Sequence, residues 1–198
     1  MKQKIVGLFV CMLMVVLVFQ MPGTAFSDDV HEITDDEGDT RFEYVDVVWA
    51  SFYENADQPQ YLYAALQISN LQEKKGCVYA IHWYFNDVHY DTALHNGLML
   101  PPLRFKIWSS DYYDKRTPMK TWNDTLNSGS FDPQNDVIIW TLHKSCIGFP
   151  QPGDILTHAY VFTAQRIANL GLIPFGRLFM SFSDSSDSSA SLNYIIQY

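Results

Sequence analysis

The chain has 198 residues, 47% hydrophobic and 15% aromatic, with 22 acidic against 13 basic side chains and a formal net charge of −9. That length fits one domain with a sizeable core. The acidic balance argues against nucleic acid and anionic membrane surfaces as partners, both of which call for a basic footprint.

The first element is a leader. Lys2 and Lys4 precede an apolar run from Ile5 to Phe19, and Gly23-Thr24-Ala25 supplies small residues before Phe26. A basic start, a short apolar core and a small-residue exit are the parts of a secretory signal peptide, here residues 1–25. Cleavage is expected after Ala25, with the bond after Ser27 as the alternative. The competing reading is an uncleaved anchor, because a tilted segment from Ile5 to Met21 could just cross a thin bilayer. The mature protein is therefore expected to be secreted or extracytoplasmic, with a membrane tether only through residues 5–21. A last strand is expected to run toward Tyr198, and no sorting or membrane tail is expected. Between Asp28 and Asp39 there are seven acidic residues and no Lys or Arg, a composition that predicts a disordered spacer over residues 26–40. A calcium tract at Asp35-Asp36-Glu37-Gly38-Asp39 is the alternative, although it lacks the spacing of an EF-hand loop.

From residue 41 to 198 alternation and β-formers dominate. Strands are expected at Phe42–Tyr53, Tyr61–Ser69, Cys77–Phe85, Val88–Leu94, Leu103–Trp108, Met119–Thr125, Val137–His143, Ile155–Gln165, Leu178–Phe182 and Leu192–Gln197. Turn-rich stretches separate them, among them Glu54 to Pro59, Ser128 to Pro133 and Pro150 to Asp154. At most, Ser145 to Gly148 forms one helical turn. Short strands punctuated this often predict an all-β fold, an antiparallel β-sandwich of jelly-roll or immunoglobulin-like layout.

Two strands fix faces. Leu62, Ala64, Leu66 and Ile68 share one side of the second strand, and Tyr61, Tyr63, Ala65 and Gln67 the other. In the third, Tyr79, Ile81, Trp83 and Phe85 form the core side, and Asn86-Asp87 supplies a two-residue hairpin turn. That register sets Tyr84 opposite His89 and His82 opposite Asp91, so the outer face gathers His82, Tyr84, His89 and Asp91. Two imidazoles and a carboxylate on adjacent strands could converge on one metal ion, with His82, His89 and Asp91 as ligands. The plainer reading is a solvated polar face.

The second candidate surface is aromatic. Trp108, Tyr112, Tyr113 and Trp122 fall in and around a loop with Lys106, Lys115, Arg116 and Lys120, a mixture suited to stacking on sugar rings or contacting a protein. Core packing is the competing account of these rings. Cys77 and Cys146 remain once the leader is set aside, and an even count in an exported chain predicts a disulfide. Closing that loop would stabilise the fold by roughly 4 kcal/mol on the chain-entropy model. Two free buried thiols are the alternative. Asn123-Asp124-Thr125 is a glycosylation sequon.

Catalytic signatures are absent from the sequence: there is no GxSxG elbow, HExxH, GxGxxG or P-loop. Asp111 and Asp114 are read as a hydrated loop rather than a glycosidase pair. The strand layout, in Asp46–Tyr53 with Tyr61-Leu62-Tyr63, in Tyr79–Asn86, and in Val137–His143 running into Gly148–Leu156, resembles the extracellular DOMON and family-9 carbohydrate-binding-like β-sandwiches. The resemblance implies a domain that binds sugar or haem, or has no known ligand. A haem site would draw on Met99, Met119 or Met180 with His143 or His158, but no motif selects a pair, and no cofactor is expected. The sequence thus reads as a non-catalytic module for binding or surface association, with a carbohydrate or an extracellular protein as partner. The specific alternative is a carbohydrate-binding domain using the loop around Trp108 to Trp122. A hydrolase with a carboxylate site outside any motif is a third reading.

Overall fold

Alternating apolar residues in short segments must bury one face of each strand, and two sheets meeting on those faces satisfy that need. The computed structural model describes residues 33–96, 104–111, 126–166, 181–185 and 192–198. The expected leader, the expected strand Met119–Thr125, the sequon, Tyr112, Tyr113 and Trp122 lie outside the described residues. The strands are β1 (Ile33–Thr34), β2 (Val47–Tyr53), β3 (Tyr61–Ile68), β4 (Cys77–Phe85), β5 (Val88–His95), β6 (Arg104–Asp111), β7 (Ser128–Asp132), β8 (Val137–His143), β9 (Ile155–Arg166), β10 (Ser181–Ser185) and β11 (Leu192–Ile195). They form an antiparallel β-sandwich. One sheet has five strands in the order β1-β2-β3-β8-β7, and the other has six, β10-β9-β4-β5-β6 with β11 also on β9. Strand β9 is long enough to hold two partners on one edge, β11 along Ile155–Ala159 and β10 along Phe162–Arg166.

The core is the slab between the sheets. Leu62, Ala64, Leu66 and Ile68 of β3 are fully buried, as are Ile138, Trp140 and Leu142 of β8, and they face Tyr79, Ile81, Trp83 and Phe85 of β4. Phe52 meets Trp83 edge-on at 5.4 Å across the slab. The expected strand from Phe42 begins instead as a 3₁₀ turn, Glu43–Val45, because this segment crosses between the sheets rather than joining a ladder. The Val45 carbonyl accepts the Thr163 hydroxyl, and the Tyr44 carbonyl accepts the Tyr79 hydroxyl at 2.8 Å.

Three further findings depart from the sequence reading. First, the sheet takes in part of the expected spacer. Ile33 pairs with Ala50 and is buried in the core, Glu37 accepts the Ser69 hydroxyl, and the buried Asp46 carboxylate accepts the Gly38 N–H at 2.7 Å. One apolar anchor and one buried acceptor order an acidic segment that composition alone assigns to disorder. Second, the turn-rich Ser128–Asp132 is an edge strand paired with β8. An edge with one exposed side needs no apolar alternation, and Asp132 caps the Pro133–Asp136 turn by accepting the Gln134 and Asn135 N–H groups.

Third, Cys77 and Cys146 are not bridged. Cys77 opens β4, whereas Cys146 lies in the 3₁₀ turn Lys144–Ile147, just before Gly148, which packs on Phe85 at the other end of β4. Eight residues of strand separate the two ends by roughly 26 Å, while a disulfide needs Cα atoms within about 7 Å. Burial also pushes the Cys77 thiol pKa up, which keeps it unreactive.

Gly148 and a buried ion pair hold the hairpin end of the sandwich. Gly148 is left-handed (φ 86°), and a Cβ there would lie 3.0 Å from the Tyr90 hydroxyl and 3.1 Å from Phe85. Lys144 meets Glu54 at 2.5 Å with both side chains buried, and Glu54 also accepts the Gln197 N–H at 2.6 Å, which ties the C-terminal segment to β2.

Two predictions follow from these contacts. Gly148→Ala and Gly153→Ala both incur the left-handed cost of about 1–2 kcal/mol, but Gly153 faces open space, so urea unfolding should show Gly148→Ala as the more damaging. Equal losses would remove the packing role of Gly148. Lys144→Met should cost about 3–5 kcal/mol by stranding a buried carboxylate, and adding Glu54→Gln should restore most of it in the same assay.

Candidate functional site

The β4-β5 hairpin has the register its sequence implies: Phe85 faces Val88, Tyr84 faces His89, Trp83 faces Tyr90 and His82 faces Asp91. Asn86 and Asp87 are both left-handed, φ 49° and 62°, the geometry of a two-residue turn that matches strand twist. With Trp83 and Tyr90 turned into the core, His82, His89 and Asp91 come together on the outer face of the six-stranded sheet. One ligand atom from each lies within 4.8 Å of the others. Among the described residues this is the group of three or more His, Cys, Asp or Glu side chains that converges in this way.

Asp91 is the centre of the group. It is only 8% exposed, its Oδ1 is hydrogen-bonded to His82 Nδ1, and the same oxygen lies 3.1 Å from His89 Nε2. That second contact is not aligned as a hydrogen bond, so the buried His89 Nε2 has no hydrogen-bond partner. Burial pushes the His89 pKa below the ordinary imidazole value; Asp91 opposes the shift and His82 adds to it.

Rings wall the group on both sides. Tyr160 of β9 stacks on His82 at 4.4 Å and 5°, His82 stacks on His89 at 5.5 Å, and Tyr84 stacks on His89 at 4.8 Å. A bulge in β9 accompanies the Tyr160 contact. His82 pairs with Tyr160 but Tyr84 pairs with Thr157, so Trp83 alone spans His158 and Ala159, and His158 is left-handed at φ 52°. Burial, with the Asp91 charge and then Tyr84, pushes the Tyr160 phenol up to about 12. Sequence reasoning missed Tyr160, because the pairing of β4 with β9 joins segments far apart in the chain.

The aromatic loop is only partly placed. Trp108 lies on β6 with its backbone opposite Asp91, while Tyr112, Tyr113 and Trp122 fall outside the described residues. A different aromatic surface occupies the outer face of the five-stranded sheet. Tyr53 and Tyr63 stack at 4.9 Å and 11°, and Tyr63 donates to Gln58 Oε1. Beside them is a recess of about 300 Å³ lined by Gln58, Tyr61, Leu126, Asn127, Ser128 and Thr141. Tyr61 and Tyr63 stood on the non-core side of their strand in the sequence, and that outward position was the available signal.

Comparison with family models, with curated proteins and with solved structures finds no match for this chain. The chemistry of both surfaces therefore rests on their own residues.

The acidic tract is arranged differently from an ion cage, since Glu37 serves Ser69 and Asp46 serves Gly38 and Thr40. Burial, followed by the charges of Asp35, Asp46 and Asp36, raises the Asp39 pKa. A raised carboxyl means that the folded chain holds a proton more readily than the unfolded one, so the ionised form opposes folding above that raised value. Asp39→Asn should accordingly stabilise the fold at pH 7 by at most a few tenths of a kcal/mol after solvent screening. The gain should vanish below the ordinary carboxylate value of about 3.9. Urea midpoints at pH 7 and pH 3 check the sign, and a loss at pH 7 would contradict it.

Proposed function

We propose that the chain is a non-catalytic β-sandwich module that works outside the cytoplasm by binding an extracellular carbohydrate or protein, with its contact surface at the recess on the five-stranded sheet. The observation that carries this reading is the recess itself, about 300 Å³ in volume, with Tyr61 at its side and Gln58, Asn127, Ser128 and Thr141 in its lining. These groups are amides, hydroxyls and a ring, which bind through hydrogen bonds and stacking. The leader at residues 1–25 supports display outside the cytoplasm.

Within that reading a carbohydrate is the favoured ligand. Sugar rings present apolar faces to aromatic side chains and hydroxyls to amides, and the stacked Tyr53 and Tyr63 beside Gln58 offer both partners. The loop around Trp108 to Trp122 is the competing location; of its four rings only Trp108 falls within the described residues, on β6 of the six-stranded sheet.

A glycan array probed with residues 26–198 separates these readings. Binding should weaken by about tenfold or more in Tyr61→Ala and in Gln58→Ala, the loss typical of a contact worth somewhat over 1 kcal/mol, and should survive Trp108→Ala. The reverse pattern would move the site to the six-stranded sheet. A silent array would contradict the carbohydrate reading and leave a protein partner.

A further inference from the structure

We propose that His82, His89 and Asp91 form a mononuclear site for a divalent transition-metal ion of the zinc or copper(II) class. This goes beyond the binding reading above and does not depend on it, because the recess and the three side chains lie on different sheets.

The donor geometry is close to what such an ion requires. Ligands about 2.0–2.2 Å from zinc in tetrahedral array stand roughly 3.3 Å from one another, and His89 Nε2 lies 3.1 Å from Asp91 Oδ1 with the whole set inside 4.8 Å. The fixed register of the ladder keeps the three side chains together, the hydrogen-bonded His82 Nδ1 and Asp91 Oδ1 must part to admit an ion, and the stacked rings of Tyr84 and Tyr160 restrict both imidazoles. Little ordering entropy is then lost on binding.

The buried His89 Nε2 supplies a second, independent observation. A buried nitrogen without a hydrogen bond is costly, and here it faces a carboxylate oxygen. An ion between them would satisfy both atoms. Binding through His82 Nδ1 takes the imidazole tautomer whose proton sits on Nε2, so the ring proton moves from one nitrogen to the other and Nδ1 and Asp91 Oδ1 present their lone pairs to the ion.

The donor types select the ion. Two imidazole nitrogens and one carboxylate oxygen suit zinc, copper or nickel, whereas calcium and magnesium require more oxygen donors. Three protein ligands leave a further position for water or an exchangeable donor. The side chains of His82 and His89 keep 17% and 18% of their surface exposed.

Isothermal titration of untagged, chelator-stripped residues 26–198 with zinc tests the proposal. The expected result is one ion per chain, with affinity at least tenfold weaker in His89→Gln and in Asp91→Asn and unchanged in His158→Gln. Circular dichroism of each variant without metal shows whether it folds. Cobalt substitution of the unmutated chain gives a readout free of that question, a visible d–d absorption of nitrogen and oxygen coordination that zinc removes. No uptake by the folded unmutated chain, uptake unchanged in His82→Gln/His89→Gln, or equal affinity for calcium would each overturn it. Loss of glycan binding at the recess would leave the metal result standing, and the converse holds.

Discussion

The structure depends on a two-residue alternation along one hairpin. Trp83, fully buried, and Tyr90, 6% exposed, anchor β4 and β5 into the slab, and burying side chains of that size contributes about 1.5–3 kcal/mol or more apiece. Because side chains alternate, burying Trp83 and Tyr90 obliges His82, Tyr84, His89 and Asp91 to face outward. A slip of one residue of β5 against β4 would exchange the two faces of β5, turning the His89 imidazole and the Asp91 carboxylate toward the core and Tyr90 outward, at a desolvation cost far above any gain from an outward ring. The outer constellation is therefore a consequence of core packing, held in register by the left-handed Asn86-Asp87 turn.

The same logic gives the molecule two unlike outer surfaces. On the six-stranded sheet, imidazole, carboxylate and phenol groups crowd together around Asp91, and the bulge at His158 accompanies a change in the β9 register that sets Tyr160 against His82. On the five-stranded sheet, tyrosines and uncharged amides border an open recess. A sandwich with polar outer faces is expected to hydrate both. The two faces gather different side chains, amides and hydroxyls with tyrosine on one and imidazole with carboxylate on the other.

Much of this was legible in the chain. Strands β4 and β8 match their expected bounds, and β3, β5 and β9 lie within a residue of theirs, because apolar alternation and turn residues agreed at every boundary. The outer cluster was legible for the same reason. What the sequence hid was of three kinds. Strands β1 and β7 lack an apolar pattern: one has Ile33 as its sole apolar residue, and the other is a polar edge ladder on β8. The partnership of Tyr160 with His82 requires knowing which distant strands are neighbours. The cysteine count gave parity but not position, and parity cannot show that Cys77 and Cys146 lie toward opposite ends of one strand.

The account stands on the β4-β5 register, and backbone NOE spectroscopy of the folded chain measures it directly. Cross-strand contacts should join Trp83 with Tyr90 and His82 with Asp91, with Phe85 opposite Val88 at the turn. Contacts joining Trp83 with His89 or Asp91 would show the slipped register, turn His89 and Asp91 inward away from His82, and remove the outer site together with the packing that explains it.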